Sequence, residues 1–242
     1  RSTYVQPGMN LDEILSSFYS SISTPVLTNL TLDFGGLSTY DLYPNSLPDL
    51  FTGSQVILME RYRDSDKTDI TLTGEVNGEK QTFTFAEQVF DKQSLADSSF
   101  ESIPRLWATR KIGYLLNQIR LEGANHEIID QIVRLSIRYG IVTEYTSYLV
   151  TEDMPIGAAA QDEIAKETFN NMKSAPPEVS GQDAVHQAAG EGAMAGAESV
   201  RAPPAEAANV VRVAGTHTFV LANTIWTDTA FDPASMQTVK VS

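Results

Sequence analysis

The stretch from Ile103 to Val150, IPRLWATRKIGYLLNQIRLEGANHEIIDQIVRLSIRYGIVTEYTSYLV, constrains the fold more than any other part of this chain. Ala108, Ile112, Leu115, Leu116 and Ile119 recur at helical spacing and form one apolar stripe. Ser102 is placed to cap that helix, with Pro104 in its first turn. Gly123 stops it, Asn125 caps a second helix, and Gly140 stops the second. Ile128, Ile129, Ile132, Val133 and Leu135 are the apolar positions of the second helix. Two apolar stripes joined by so short a turn predict an antiparallel helical hairpin over 103–140. Ile141–Val150, rich in Thr and Tyr, then reads as a strand.

A second local signal is as definite. Asp69–Val76 and Glu79–Phe85 flank Asn77-Gly78, a pair that favours a two-residue turn with positive φ at both positions. That turn sets the register: Ile70 faces Phe85, Leu72 faces Phe83 and Glu75 faces Lys80. Apolar pairs on one face and an ion pair on the other are mutually consistent.

Before the hairpin, Asn10–Ile22 reads as a helix capped by Asn10, with Leu11, Ile14, Leu15, Phe18 and Ile22 on one face. Pro25 opens an extended run in which Leu30, Leu32 and Phe34 alternate with Thr31 and Asp33, and Gly35-Gly36 ends it. Tyr40–Gly53 reads as a loop. Ser54–Tyr62 reads as a strand whose run Val56–Met59 is covered on both faces. After the helical hairpin the composition turns to Ala, Gly and Pro. A short helix is expected over Asp162–Met172, most of 174–208 reads as loosely packed, and a terminal hairpin turns at Asn223-Thr224 with Phe219, Leu221, Ile225 and Trp226.

Charge and composition exclude several functions. The 242 residues carry a formal net charge of −14, which opposes binding to nucleic acid or to anionic membranes. Residues 101–150, with 6 basic and 5 acidic side chains, are the only part that is not acidic. Without cysteine there are no disulfides, thiol nucleophiles or thiolate metal sites. No run of about 18 apolar residues is present to span a bilayer. The first ten residues lack the apolar core of a signal peptide. Arg1 in place of an initiator Met leads us to expect a fragment or a processed product.

Sites of chemistry are sparse. His126, His186 and His217 have no metal-ligand spacing, and no GxSxG supports a catalytic triad. Asp64, Asp66 and Asp69 suggest a calcium loop, but that pattern needs Gly where Asp69 stands, and Lys67 opposes a cation. We therefore expect no metal, no cofactor and no catalytic residue. The one basic-aromatic cluster is Arg105, Trp107, Arg110 and Lys111. Arg105 and Arg110 either pair with the acidic remainder of the chain or, with Trp107, anchor another domain.

Five blocks carry a resemblance: LSSFYSSISTPVLTNLTLDF, DLYPNSLPDLFTGSQVILMERY, FESIPRLWATRKIGYLLNQIRL, IVRLSIRYGIVTEYTSYLVTED and THTFVLANTIWTDTAFDP. In this order and spacing they resemble the region that follows the von Willebrand factor A (VWA) domain in bacterial VIT–VWA proteins, relatives of inter-alpha-trypsin inhibitor heavy chains. The resemblance implies that 1–24 holds the last helix of a preceding VWA-like domain and that the strands after Pro25 belong to a β-sandwich. It implies an extracytoplasmic or cell-surface setting. The metal-binding DxSxS motif of the VWA domain does not occur in this chain. Asp232-Pro233 is followed by Ala234 and Ser235, unlike the DPHFI-type sequence through which heavy chains couple to hyaluronan.

Together these readings predict a mainly β, α+β chain: a β-sandwich over 25–150 with an inserted antiparallel helical hairpin, a loosely packed segment over 151–209, and a C-terminal β-hairpin over 210–242 packing on the sandwich. The function expected is a non-enzymatic scaffold or adhesion module. The alternative is a β-sandwich hydrolase or carbohydrate-active domain using paired carboxylates. The expected partners are the VIT/VWA part of the same protein, other chains, or a second copy joined by strand addition. The candidate interface residues are Leu11, Leu15, Phe18, Arg105, Trp107 and Arg110.

Overall fold

The structure is a computed structural model. It describes residues 5, 8–23, 25–64, 66–91, 102–143, 145–146, 157–174, 181–200, 207–215, 217–222, 224–232 and 235–236. The chain divides into two compact units, 1–94 with 180–189, and 95–179 with 190–242. Among the described residues the class is α+β, with antiparallel sheets and five helices.

The first unit opens with α1, Leu11–Ile22, whose Asn10 cap accepts from the Glu13 N–H at 3.4 Å. Its main sheet has the order β3-β1-β5-β6, with β1 at Pro25–Asp33, β3 at Leu50–Phe51, β5 at Asp66–Val76 and β6 at Glu79–Phe90. The β5–β6 register is the expected one: Ile70 opposite Phe85, Leu72 opposite Phe83, Glu75 opposite Lys80. The turn residues Asn77 and Gly78 have φ of 53° and 83°, as a two-residue hairpin loop requires. β2, Thr39–Tyr43, pairs with β4, Met59–Tyr62, as a separate two-stranded sheet. Leu27, Leu30, Leu37 and Tyr43 are the buried apolar residues of this unit's strands and connections.

Two expectations for this region are corrected. The run Tyr40–Gly53 is not a plain loop, because it contributes most of β2 and all of β3. Its prolines lie between those strands, where they interrupt no ladder. Conversely, the strand at 54–62 shrinks to Met59–Tyr62. Val56, Ile57 and Leu58 are half-buried in irregular backbone, so this run is not a strand covered on both faces.

The second unit is built on α2, Ile103–Glu122, and α3, His126–Tyr139. Asn125 caps α3 through its side chain at 2.9 Å from Ile128 N, and Gly140 closes it in the left-handed conformation. Ile112, Leu116, Ile119, Ile129, Ile132 and Val133 are buried, as the two stripes require. Leu135 is only half-buried; Ser136 and Ile137 occupy the inner positions instead. α4, Ala158–Ser174, packs beside α3. Arg134 bonds Asp130 at 2.9 Å and also reaches Asp162, and His126 meets Phe169 edge-on.

The strand expected over 141–150 is not formed at its described residues. Ile141–Thr143 is irregular and Tyr145-Thr146 is a single 3₁₀ turn; 144 and 147–150 lie outside the described residues. Thr146 Oγ1 takes the Thr143 N–H at 2.8 Å and meets Thr143 Oγ1 at 2.9 Å, so side-chain hydroxyls satisfy groups that a ladder would have used. The segment 174–208 contains more structure than expected. α5, Gln182–Ala195, is a full helix, with 182–189 assigned to the first unit and 190–195 to the second. The terminal hairpin turns where expected, pairing Leu221 with Trp226 and Ala222 with Ile225. It is one edge of a three-stranded sheet, β7 (Val211–Ala214), β8 (His217–Ala222) and β9 (Ile225–Asp228). This sheet packs on α3, where Thr229 Oγ1 donates to Arg138 O at 3.2 Å.

Candidate interaction surface

Strand alternation builds the surface of greatest interest. Leu32, Leu72 and Phe83 lie directly opposite one another across β1, β5 and β6, with Ile70 and Phe85 in the neighbouring position. Residues that are opposite one another share a face, so these five form one apolar face of the sheet. Burial fades outward along it. Leu32, Ile70 and Leu72 are half-buried, whereas Phe83 is 45% and Phe85 51% exposed. The opposite face carries Thr31, Thr73 and Thr82 in one row and Thr71 with Thr84 in another. β6 ends the sheet, and its residues from Glu79 to Val89 are all exposed. One edge of β6 is therefore unpaired among the described residues.

The α1 residues named from sequence behave in the same way. Leu11 and Leu15 are each about half exposed, Tyr19 beside them is 71% exposed, and Phe18 is half-buried. A helix that shows this much apolar side chain has an incompletely covered face.

The basic-aromatic cluster is placed differently. Trp107 and Arg110 are each only 4% exposed, and Arg105 is half-buried. Arg105 donates from Nε to Tyr139 O at 3.0 Å and from Nη2 to Gly140 O at 3.2 Å, satisfying the last carbonyls of α3. Arg110 Nε donates to Ala197 O at 2.7 Å. Trp107 meets Tyr139 edge-on, and Lys111 lies over its ring. Burial lowers the pKa of both arginines from the ordinary value; at Arg110 the charge of Glu198 opposes that shift. These side chains hold elements of their own unit together and do not present an outward anchor. Because Arg105 and Arg110 lie off the Ile112–Ile119 stripe, the sequence leaves open whether they pair with the acidic remainder of the chain or anchor another domain. The backbone carbonyls that receive them are far away in sequence.

The acidic loop is occupied by its own backbone. Asp66 Oδ1 accepts from Lys67 N at 2.7 Å, and Asp69 Oδ1 from Glu87 N at 2.7 Å. Lys67 Nζ bonds Glu87 at 2.8 Å. Among the described residues no group of three or more His, Asp or Glu side chains could hold a metal ion. The three histidines are far apart in sequence and have separate contacts: His126 with Phe169, His186 with Gln182, and His217 Nδ1 with Asp228 at 2.5 Å. Glu60 stands out by its environment. One of its oxygens is buried without a hydrogen-bond partner, and desolvation pushes its pKa up to about 7. Also among the described residues, no helix is long and apolar enough to cross a membrane.

Among the described residues the four-stranded sheet ends on an exposed strand, and comparison gives the chain a family likeness. The chain carries a region similar to the inter-alpha-trypsin inhibitor heavy chains. It is 31% identical over 170 residues to heavy chain H3 of Rattus norvegicus, covering 64% of this chain and 19% of that protein. It is 29% identical over 160 residues to H3 of Bos taurus, covering 63% and 18%. It is 29% identical over 146 residues to heavy chain H4 of Homo sapiens, covering 57% and 16%. The chain thus spans less than a fifth of the length of these curated relatives. No family model matches, and no solved structure matches.

Proposed function

We propose that this chain is a non-enzymatic interaction segment of a larger heavy chain-like protein, secreted or held at a cell surface, and that it works through protein–protein contacts. The observation that carries the reading is β6: an edge strand exposed from Glu79 to Val89, whose Phe83 and Phe85 continue the apolar row of Leu32 and Leu72 into solvent. Natural edges are ordinarily blunted by proline, by inward charge or by a covering element. β6 has no proline; a bulge at Glu87 (φ 56°) interrupts it near one end, but the regular stretch Glu79–Phe85 shows two phenylalanines, which favours a surface that another strand completes. The exposed side of α1 supports the further reading that 1–24 belongs to a preceding VWA-like domain, and the VIT/VWA part of the same protein is then the natural partner. The paired-carboxylate alternative has no observation of its own in support.

Hydrogen exchange tests this. In the isolated chain at low micromolar concentration, the β6 amides turned away from β5 exchange at nearly unprotected rates, and they become protected within the longer parent polypeptide. Uniform protection of β6 in an isolated monomer overturns the proposal.

A further inference from the structure

We infer that the Asn77-Gly78 turn is a site of spontaneous, irreversible modification: the folded hairpin shields the Asn77 side-chain amide, and opening of β5 from β6 lets it deamidate to aspartate and isoaspartate. The sequence supplies the chemistry. Asn77 is the only asparagine of the chain that is followed by glycine. Gly78 has no side chain to hinder its nitrogen from reaching the Asn77 Cγ. The N–Cγ bond forms as the Cγ–Nδ2 bond breaks, and ammonia leaves with the Gly78 amide proton. Water then opens the cyclic imide, giving its hydroxyl to one carbonyl carbon and a proton to the ring nitrogen. Opening at Cγ leaves aspartate. Opening at the backbone carbonyl leaves isoaspartate, in which the main chain runs through Cβ.

The structure decides when this happens. Asn77 and Gly78 are both exposed, and nothing lies within 4 Å of the place a Gly78 Cβ would occupy, so neither water nor room is limiting. Conformation is. Positive φ at both residues, 53° and 83°, defines a type I′ turn, in which ψ of the first central residue is about +30°. At that ψ the Gly78 nitrogen lies across the Cα–C bond from Cβ, turned away from the side-chain amide. Ring closure requires rotation about this bond. The ladder beside the turn, Val76 opposite Glu79 and Glu75 opposite Lys80, prevents it. The hairpin must therefore open first. Neither product restores the original turn. Isoaspartate adds a backbone atom to a loop whose length sets the register. Both products place a further carboxylate between Glu75 and Glu79 in the chain.

The test incubates the whole chain at mildly alkaline pH and follows Asn77 by peptide mapping with mass spectrometry, which detects the change from amide to acid and separates the two products. Conversion in the folded chain is expected to be at least about tenfold slower than in the same chain unfolded in guanidinium chloride. Denaturant below the unfolding transition should speed it. So should Leu72→Ala, which removes the side chain opposite Phe83 and leaves the turn untouched. Equal rates in the folded and unfolded chains overturn the shielding. No conversion in the unfolded chain overturns the site itself. A rate in the folded chain that responds neither to low denaturant nor to Leu72→Ala overturns control by the hairpin.

Discussion

Gly113 of α2 faces the backbone of Ala195 at the end of α5 so closely that a Cβ at Gly113 would overlap the Ala195 nitrogen and come within 2.8 Å of Met194 C. No residue with a side chain fits there without moving α5. Arg110 clamps the same junction through Ala197 O, and Arg120 reaches the buried Glu191 at 3.4 Å. Gly113→Leu is therefore expected to destabilise by about 1–3 kcal/mol or more and to release α5. Chemical denaturation gives the first quantity; cleavage within 182–195 under limited proteolysis reports the second.

Leu116→Ala should cost about 2–5 kcal/mol, because Leu116 is almost fully buried on α2, which packs against α3. A loss under about half a kcal/mol in urea would mean that the helices do not share this stripe.

Stability should fall as pH rises across the titration of Glu60. Its carboxyl holds a proton up to about 7 in the folded chain, against 4.5 when exposed. Between those values the folded state binds the extra proton, so its contribution is complete below about 4.5 and is lost as pH passes through 7. Because Glu60 is only half-buried, the expected size is about 1 kcal/mol. Glu60→Gln should flatten this part of the pH profile in denaturation measured at several pH values; an unchanged slope would assign it to other groups.

Calcium at about 1 mM should leave the thermal midpoint unmoved, since a ligand binding only the folded state would raise it. Asp66 and Asp69 already accept backbone N–H groups, and Lys67 stands between them in the chain. A calcium-dependent rise that Asp64→Asn or Asp66→Asn removes would show a site in this loop.

What was legible in the sequence was local. The Asn77-Gly78 turn dictated its own register, and the stripes at Ile112–Ile119 and Ile128–Val133 named their helices, because turn chemistry and 3.6-residue spacing act within a few residues. The failures came where distant partners decide. Tyr40–Tyr43 became a strand because Met59–Tyr62 lay opposite it. Ile141–Val150 had strand composition, yet Thr143 and Thr146 turned to each other. α5 hid in an Ala- and Gly-rich run with little apolar periodicity to read, and the close approach at its end is made by Gly113 of α2. For the candidate surface, the phenylalanines of β6 were placed correctly on the hairpin, but their exposure depended on which strand ended the sheet.

The β5–β6 hairpin also has a consequence for the order of assembly. Its most separated partners are Asp66 and Phe90, whereas β1 reaches β5 across Thr28 to Glu75. A hairpin this local closes in roughly 1–10 μs, ahead of contacts that need longer loops. The β6 edge thus exists before the rest of its sheet. Refolding yield should therefore drop as chain concentration rises, through capture of one nascent hairpin by another, and a strand supplied early from the same polypeptide would act as an intramolecular chaperone.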